Sequence, residues 1–267
     1  MAITEQSSAR PSATASREPP RVDPATTAFF LDFDGTLADI VDEPGAARVK
    51  PRVAEALARL CAAAGGALAV VSGRDIGQID VMLSPLLLPV AGVHGLERRD
   101  ATGKLHRVAV DEALAARIGA RVAALAAAHP GLLREVKPGS VALHYRKRPE
   151  LAGACLDLAR RLAAEDGRIH LLRGRKVVEL KFAQRTKGDA IAGFMAEPPF
   201  AGRMPLFVGD DVTDEDGFAE VARRGGMAIR IGGGETAATF RFAGIAVFHD
   251  WLAGLAGAAD GREEGRR

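Results

Sequence analysis

Short apolar runs that end in polar residues alternate with helix-like stretches from about residue 28 onward. The first run, "AFFLDFD", is followed by the helical pattern "VKPRVAEALARLCAAAG" and then by the apolar runs "ALAVVSG" and "LPVAGVHG". Near-continuous apolar strands separated by helices are typical of a parallel sheet covered on both faces. The pattern resumes near the end with the helical "KGDAIAGFMAE", the strand-like "MPLFVGDD" and the helical "DEDGFAEVARRGG". The sequence therefore predicts an α/β core with a parallel sheet flanked by helices.

The middle of the chain has a different pattern. The segments "KLHRVAV", "LLREVKPGSVALHYRK" and "IHLLRGRKVVELKF" alternate apolar and polar residues with a period of two. This alternation predicts a half-exposed antiparallel sheet, with two helical segments between its strands. We expect an inserted α+β unit over residues 105–182 and a core formed by residues 27–104 and 183–258. Residues 1–26 and 259–267 are predicted to be disordered tails, and "MAIRIGG" and "GIAVFHD" are predicted as the final strands.

The composition excludes several classes of function. The net charge of +2, from 36 basic and 34 acidic residues, and the 5% aromatic content do not favour nucleic acid as a partner. No apolar run approaches the roughly 20 residues that a membrane crossing requires. The two cysteines, Cys61 and Cys155, exclude a disulfide framework and indicate a reducing compartment, so we expect a cytoplasmic protein.

Polar side chains follow the predicted core strands where each strand ends. Asp32 and Asp34 follow the first strand, Ser72 follows the second, and Asp210 follows a later one. The carboxyl ends of parallel strands meet at one edge of a sheet, where ligands bind. Because three carboxylates there would repel one another, we expect a divalent cation, and Mg²⁺ prefers carboxylates, waters and substrate phosphate. Lys187, at the start of the helix after the inserted unit, suits the phosphate oxygens.

These motifs carry a family resemblance. "DFDGT", "VSGR", "TKGDA" and "GDDVTDED" resemble, in order, the four signatures of haloacid dehalogenase-type (HAD) phosphotransferases. Within that superfamily the sequence is most similar to trehalose-6-phosphate phosphatases, through "DGTLADIVDEPGAARV", "GVHGLE", "KPGSVALHYR" and "RGRKVVELKF". The resemblance implies a Rossmann-like HAD core with an inserted C2-type cap. It also implies hydrolysis of trehalose 6-phosphate by a cytoplasmic monomer that needs Mg²⁺ and acts on a small sugar phosphate.

The resemblance further implies roles for the acidic residues. Asp32 would be the nucleophile that forms an aspartyl-phosphate. Asp34 would be the general acid and then the general base, and its backbone carbonyl would bind the metal together with Asp32 and Asp210. Asp211 and Asp214 would hold metal-bound waters.

The remaining implied contacts belong to the phosphate and to the sugar. The phosphate would be bound by Gly35, Thr36, Ser72, Gly73, Arg74 and Lys187, with Lys187 also neutralising charge during catalysis. The candidate sugar-binding residues are Glu97, Lys137, His144, Arg146 and Glu179. The remaining histidines have no metal-like spacing and are interpreted as structural: His94, His106, His129, His170 and His249.

Two alternatives remain open at this point. Phosphatases for sucrose phosphate and mannosylglycerate phosphate are built alike, so the substrate could be another sugar phosphate. A protein that only binds Mg²⁺ and phosphate is the non-enzymatic alternative. It predicts the loss of at least one catalytic group, whereas Asp32, Asp34, Ser72, Lys187 and Asp210 are all present.

Overall fold

The computed structural model describes two sheets and seven helices. The residues it describes are 19–41, 43–109, 111–137, 139–182 and 185–264. The strands are β1 (Thr27–Leu31), β2 (Leu68–Val71), β3 (Val90–Gly92), β4 (Glu97–Arg99), β5 (Leu105–Arg107), β6 (Leu133–Lys137), β7 (Ser140–His144), β8 (His170–Gly174), β9 (Val177–Lys181), β10 (Met204–Gly209), β11 (Met227–Ile231) and β12 (Phe240–Phe242). The helices are α1 (Pro51–Ala63), α2 (Ile76–Leu83), α3 (Glu112–Ala128), α4 (Ala152–Glu165), α5 (Lys187–Phe194), α6 (Glu215–Arg223) and α7 (Ile245–Glu264).

The larger sheet has eight strands in the order β12-β11-β10-β1-β2-β3-β4-β5. The strands from β12 to β3 run parallel, while β4 and β5 are antiparallel additions at one edge. Strand β1 lies in the middle and all five of its residues are buried, as expected for a strand covered by helices on both faces. The predicted α/β core with a parallel sheet is confirmed.

The smaller sheet has four antiparallel strands in the order β6-β7-β9-β8. One of its faces packs on α3 and α4 through apolar residues that include Val141, Leu143, Val178 and Leu180. The other face carries polar residues, because side chains alternate along a strand. The chain enters this unit after β5 and leaves it just before α5. The last strand of the unit, β9, is therefore only a few residues before α5 in the sequence.

Two sequence-based assignments of strands are wrong. Leu105–Arg107, predicted as the first strand of the inserted sheet, pairs with β4 and belongs to the larger sheet. The segment "GIAVFHD", predicted as a strand, is the start of α7. There Phe248 and Leu252 are four residues apart and both are fully buried, which is the spacing of a helix face. The short apolar run resembled a buried strand because the helical period appears only when residues beyond 250 are included.

The predicted tails differ from the structure in part. Val22 and Pro24, in the segment predicted to be disordered, are buried, so residues 19–26 pack on the core. At the other end, α7 continues to Glu264. Residues 1–18 and 265–267 lie outside the described residues.

The boundaries of the core and of the inserted unit stay a prediction. Within the described residues, no helix combines the length and apolar character that a membrane crossing requires.

Three phenylalanines hold α5 and the loop after it against the central strand. The Phe200 ring lies 5.5 Å from that of Phe30 and 5.0 Å from that of Phe194, centroid to centroid. All three side chains are fully buried. Aromatic pairs at such distances stabilise a core beyond the area that they bury.

Replacement of Phe200 by alanine is expected to lower the free energy of unfolding by about 3–5 kcal/mol, because it removes a buried ring and leaves a cavity. Urea denaturation followed by circular dichroism measures this change. Val81→Ala, at a side chain that is 79% exposed, is the control and is expected to change stability by less than about 0.5 kcal/mol. Equal effects of the two substitutions would contradict the importance of this cluster.

Candidate active site

A buried lysine joins two aspartates at the carboxyl edge of the eight-stranded sheet. The Nζ atom of Lys187 donates hydrogen bonds to Asp32 Oδ1 and to Asp214 Oδ1, each at 2.6 Å. Lys187 is only 3% exposed and Asp214 is fully buried. Buried charges persist when they are paired, so this triad ties β1, α5 and the turn after β10 together. Burial lowers the pKa of Lys187, but the two carboxylates outweigh it and hold that pKa above its ordinary value.

The N-terminus of α5 positions Lys187. Thr186 Oγ1 accepts the backbone N–H of Asp189, and the Asp189 carboxylate accepts the backbone N–H of Thr186. This reciprocal pair is a capping box, and it fixes where the helix starts. Since Lys187 is the first helical residue, the cap also fixes the origin of its side chain.

Asp210 brings a third carboxylate to the triad. Carboxylate oxygens of Asp32, Asp210 and Asp214 all lie within 4.8 Å of one another. Burial, helped by the charges of Asp214 and Asp211, raises the pKa of Asp210 to about 7. Burial also raises the pKa of Asp32 well above its usual value, although Lys187 opposes this. A single ammonium therefore does not compensate the negative charge gathered here.

The donor set fits a hard divalent cation. Asp210 Oδ1 is buried and has no hydrogen-bond partner among the described residues, which is costly for a carboxylate unless a cation contacts it. Asp214 Oδ2 accepts the backbone N–H groups of Asp210 and Asp211 at 3.0 and 2.9 Å. Asp214 therefore holds the backbone that carries Asp210, in addition to its contact with Lys187. The Asp211 side chain is exposed.

Gly35 allows the turn after Asp34 to approach Asp210. Its φ of +81° is one that other residues rarely adopt. A Cβ atom at this position would overlap the Asp210 carboxylate. The turn and the acidic cluster are therefore packed directly against each other, and a displacement of one moves the other.

Arg74, predicted to bind phosphate, is paired with Asp34. Its Nε donates to Asp34 Oδ2 at 2.7 Å and its Nη2 donates to Asp34 Oδ1 at 2.6 Å. Both oxygens of the predicted general acid are thus occupied by one guanidinium. The buried Ser72 Oγ accepts the backbone N–H of Arg74 at 3.1 Å. Gly73 packs against His94, since a Cβ there would lie 2.7 Å from His94 Nε2.

The polar face of the four-stranded sheet lies over this edge. Glu179 on β9 approaches His94 of the core, with Oε2 and Nε2 3.8 Å apart, and it accepts a hydrogen bond from Ser140 Oγ at 2.6 Å. Lys137 and His144 both contact Glu135, with nitrogen–oxygen distances of 3.8 and 2.8 Å. Four of the five predicted sugar-binding residues, Lys137, His144, Arg146 and Glu179, lie on these strands or directly after β7.

Glu97 is the exception among the predicted sugar-binding residues. Its Oε1 accepts the backbone N–H of Ile76 at 2.8 Å at the start of α2, and its Oε2 lies 3.7 Å from Arg107. Glu97 lines a separate cavity of about 700 Å³ together with Asp80 and Arg99. The structure therefore gives Glu97 a helix-capping role, and the predicted sugar contact has no support from these bonds. The motif "GVHGLE" does not reveal this role, because the backbone N–H of Ile76 meets Glu97 only in the folded protein.

Three polar residues on the covering face were missed in the sequence. Glu135 and Lys181 are two residues away from the predicted Lys137 and Glu179, so the period of two could have identified them. His170, interpreted as structural, lies opposite Lys181 on β8. Lys181 is buried, donates to the backbone carbonyl of Arg185 at 2.7 Å, and has its pKa lowered by burial to about 8.

A cavity of about 320 Å³ separates the core from the covering sheet. Three cations, Lys181, Arg185 and Lys187, border it with one carboxylate, Asp216. The other lining residues are His94, His170, Leu172, Thr186, Val212 and Thr213. The volume is at the lower end of the roughly 300–1,000 Å³ that small-molecule sites occupy, and the lining favours an anion that also carries polar groups.

Comparison with known proteins identifies the family. A sequence model described as trehalose-phosphatase matches residues 30–243. The trehalose-6-phosphate phosphatase of Escherichia coli is 42% identical over 243 residues, covering 91% of each chain. The chain belongs to the trehalose-phosphatase family. Membership of the trehalose-phosphatase family makes the protein a phosphatase, and it confirms the resemblance inferred from the motifs.

Solved structures support the fold of a trehalose-phosphatase. The C-terminal domain of trehalose-6-phosphate phosphatase from C. albicans superposes with a TM-score of 0.77 at 21% identity, covering 87% of this chain and 93% of that one. A haloacid dehalogenase-like hydrolase from B. subtilis superposes with a TM-score of 0.61 at 12% identity, covering 86% and 99%. At these identities the likeness concerns the fold alone, which is the HAD fold. The match to the family ends before α7.

Asp210→Asn is expected to stabilise the metal-free protein and to abolish stabilisation by Mg²⁺. Because folding raises the pKa of Asp210 to about 7, the folded state binds more protons than the unfolded state between the ordinary pKa and that value. Stability from this group is therefore lost as pH rises through 7. At about pH 8 in chelator, we expect D210N to melt roughly 2–4 °C higher than the unmodified protein, the shift that about 1 kcal/mol produces in a chain of this size.

Thermal melting in EDTA and in Mg²⁺ tests this expectation. Glu55→Gln, at an exposed position on α1, also removes one negative charge and should leave both melting temperatures near those of the unmodified protein. A D210N variant that melts lower in EDTA, or that gains as much from Mg²⁺ as the unmodified chain does, would contradict a cation site at the acidic cluster.

Proposed function

We propose that this protein hydrolyses trehalose 6-phosphate to trehalose and phosphate through an aspartyl-phosphate on Asp32. The observation that carries the proposal is the pairing of buried Asp32 with Lys187, beside Asp210 and beneath a polar sheet face. Family membership and the 42% identity to the E. coli enzyme support the choice of substrate. We also propose that it acts as a monomer in the cytoplasm, a reducing compartment that suits the two free cysteines.

Asp32 is the proposed nucleophile because Lys187 keeps its carboxylate available. The hydrogen bond from Lys187 Nζ goes to Asp32 Oδ1, which orients the carboxylate and favours its ionised form despite burial. The Asp32 oxygen forms a bond to phosphorus while the bond from phosphorus to the sugar oxygen breaks. Lys187 and Ser72 offset the negative charge on the transferring phosphoryl group.

Asp34 is the proposed source of the proton for the departing sugar oxygen. In the second step a water attacks the phosphorus and gives its proton to Asp34, which frees Asp32 and releases phosphate. Both Asp34 oxygens accept hydrogen bonds from Arg74. The proposal therefore requires that Arg74 release Asp34 when substrate binds and that Asp34 take up a proton from solvent before the sugar oxygen leaves. The phosphate is a suitable new partner for the guanidinium.

Mg²⁺ is the proposed cofactor, held by carboxylate oxygens of Asp32 and Asp210 and by the backbone carbonyl of Asp34. When bound, it would offset the charge of the acidic cluster and of the phosphate. Asp214 positions Asp210 by accepting a hydrogen bond from the backbone N–H of Asp210. The unpartnered Asp210 Oδ1 supports this assignment.

The covering sheet is proposed to bind the sugar. Its polar face carries carboxylates, which accept hydrogen bonds, and ammonium groups, which donate them. A sugar needs both, because each of its hydroxyl groups can donate and accept. Lys137, His144 and Glu179 belong to this proposed sugar site, and Arg146 follows β7 at its margin. Lys181 joins them because it lines the cavity above Lys187.

A panel of sugar phosphates tests the substrate. With Mg²⁺ present, phosphate release from trehalose 6-phosphate is expected to exceed release from sucrose 6-phosphate and mannosylglycerate phosphate, by roughly tenfold or more in kcat/KM. Asp32→Asn is expected to lower kcat by at least about 10⁴-fold, because an amide cannot replace the nucleophile. Asp157→Asn, an exposed aspartate on α4, is the control and should retain normal turnover.

Each alternative has its own outcome in this assay. Preferential cleavage of another sugar phosphate would replace the substrate and keep the mechanism. Normal turnover by D32N would overturn the mechanism. Tight binding of trehalose 6-phosphate without turnover by the unmodified chain would favour the non-enzymatic alternative.

A further inference from the structure

A histidine on α7 contacts the turn around Asp34, formed by residues 33–38 and called here the catalytic turn. His249, on α7, is 2% exposed, and its Nε2 lies 2.9 Å from the backbone carbonyl oxygen of Thr36. Thr36 is two residues after Asp34. This contact joins two segments that are 213 positions apart, and the mechanism proposed above does not use it.

The carbonyl of Thr36 fixes the protonation of the ring. A carbonyl oxygen only accepts, so Nε2 must carry the proton and donate it. The other ring nitrogen, Nδ1, is then unprotonated; it is buried and has no partner among the described residues. A second proton on this ring would therefore create a buried N–H with no described acceptor, which is unfavourable. Burial accordingly lowers the pKa of His249.

The backbone hydrogen bonds of the catalytic turn do not use the Thr36 carbonyl. Within the turn, the N–H groups of Thr36, Leu37 and Ala38 donate to the carbonyl of Phe33, and that of Gly35 donates to Ala38. These bonds leave the Thr36 carbonyl to His249. Because Gly35 packs directly on the Asp210 carboxylate, a shift of the turn is transmitted to the acidic cluster.

The charged groups around His249 come from three segments. Lys50 and Arg52, at the start of α1, lower its pKa, and Asp39, after the catalytic turn, raises it. Asp39 is paired with Lys50 at 2.8 Å, and Asp250 on α7 is paired with Arg52 at 3.1 Å. All four side chains are about half exposed or more, so none is a buried counter-ion for an imidazolium.

We propose that His249 is a positioning residue that holds the catalytic turn through the Thr36 carbonyl only while its imidazole is neutral. When the ring is neutral, the hydrogen bond is intact and the turn is seated against Asp210. A protonated ring keeps its Nε2–H, but its new Nδ1–H has no acceptor among the described residues, so the charged ring favours a position that water reaches and withdraws from Thr36. The pKa of His249 is lower in the folded state than in the unfolded state. The stability that it contributes is therefore present above about pH 6.5 and is lost as pH falls through the folded pKa. This inference rests on the proposed function, because the turn carries Asp34, the proposed source of the proton.

Two substitutions separate the hydrogen bond from the titration. His249→Gln keeps a donor at a similar distance but cannot take up a proton, whereas His249→Leu removes the donor and keeps an apolar volume. Val247→Gln changes a half-exposed side chain on the same helix and is the matched control. Steady-state kinetics with trehalose 6-phosphate and Mg²⁺ are measured between about pH 5 and pH 8, which brackets the ordinary histidine pKa.

H249L is expected to lose roughly tenfold or more in kcat near pH 8, with a smaller change in KM, because Asp34 in the turn is then misplaced for proton transfer. Its loss relative to the unmodified enzyme should shrink at low pH, where the unmodified enzyme also loses the contact. H249Q is expected to keep at least about a third of the kcat near pH 8, and its activity relative to the unmodified enzyme should rise as pH falls through the folded pKa of His249, which lies below the ordinary value. Dividing the activity of H249Q by that of the unmodified enzyme at each pH cancels the effect of substrate protonation, which is the same for both. V247Q should follow the unmodified enzyme throughout.

A constant ratio for H249Q across the pH range, or an unchanged kcat for H249L, overturns the inference. Nuclear magnetic resonance of the histidine rings decides it without catalysis, so that a failed substrate assignment is distinguishable. We expect a neutral ring with its proton on Nε2 at neutral pH, and amide shifts of Gly35 and Thr36 on acidification that disappear in H249Q. An Nδ1–H ring, or shifts that persist in H249Q, would reject the role even in a folded, inactive protein.

Discussion

The bond between Lys187 and its two aspartates is the interaction on which the rest of the site depends. One ammonium is shared by Asp32 and Asp214, and Asp210 lies beside them with no ion pair to a described residue. Three carboxylates and one lysine leave an excess of negative charge in a place that water reaches poorly. The proposed divalent cation would compensate these acids and would leave the lysine to offset the charge of the phosphate.

The position of the inserted unit follows from the same constraint. The chain leaves the four-stranded sheet at Lys181 and reaches Lys187 six residues later. A short segment therefore links the covering sheet to the lysine of the site. Lys181 donates to the carbonyl of Arg185 within that connection, and Thr186 caps the helix that starts at Lys187. The arrangement couples the surface proposed to bind the sugar to the group proposed to hold the phosphate.

The sequence predicts the core of the site because strand ends and acidic motifs are local features. Asp32 and Asp210 could be placed together from the rule that parallel strands end at one edge, and Lys187 could be added from the resemblance of "TKGDA" to a HAD signature. The pairing of Arg74 with Asp34 and the capping of α2 by Glu97 could not be predicted, since each depends on the meeting of two distant segments. The edge strand Leu105–Arg107 and the start of α7 were misassigned because a run of three to seven residues does not determine its partner or its period. His249 illustrates the same limit: its contact with Thr36 is visible only once α7 packs beside the turn.

The central claim is that Asp32 carries the phosphoryl group. Acid quenching of the enzyme during turnover of trehalose 6-phosphate, followed by borohydride reduction and peptide mass spectrometry, tests it directly, since borohydride converts an aspartyl-phosphate to homoserine. The account predicts homoserine at position 32, dependent on substrate and Mg²⁺. Efficient turnover with only unmodified aspartate at position 32, or with homoserine at another aspartate, would contradict it.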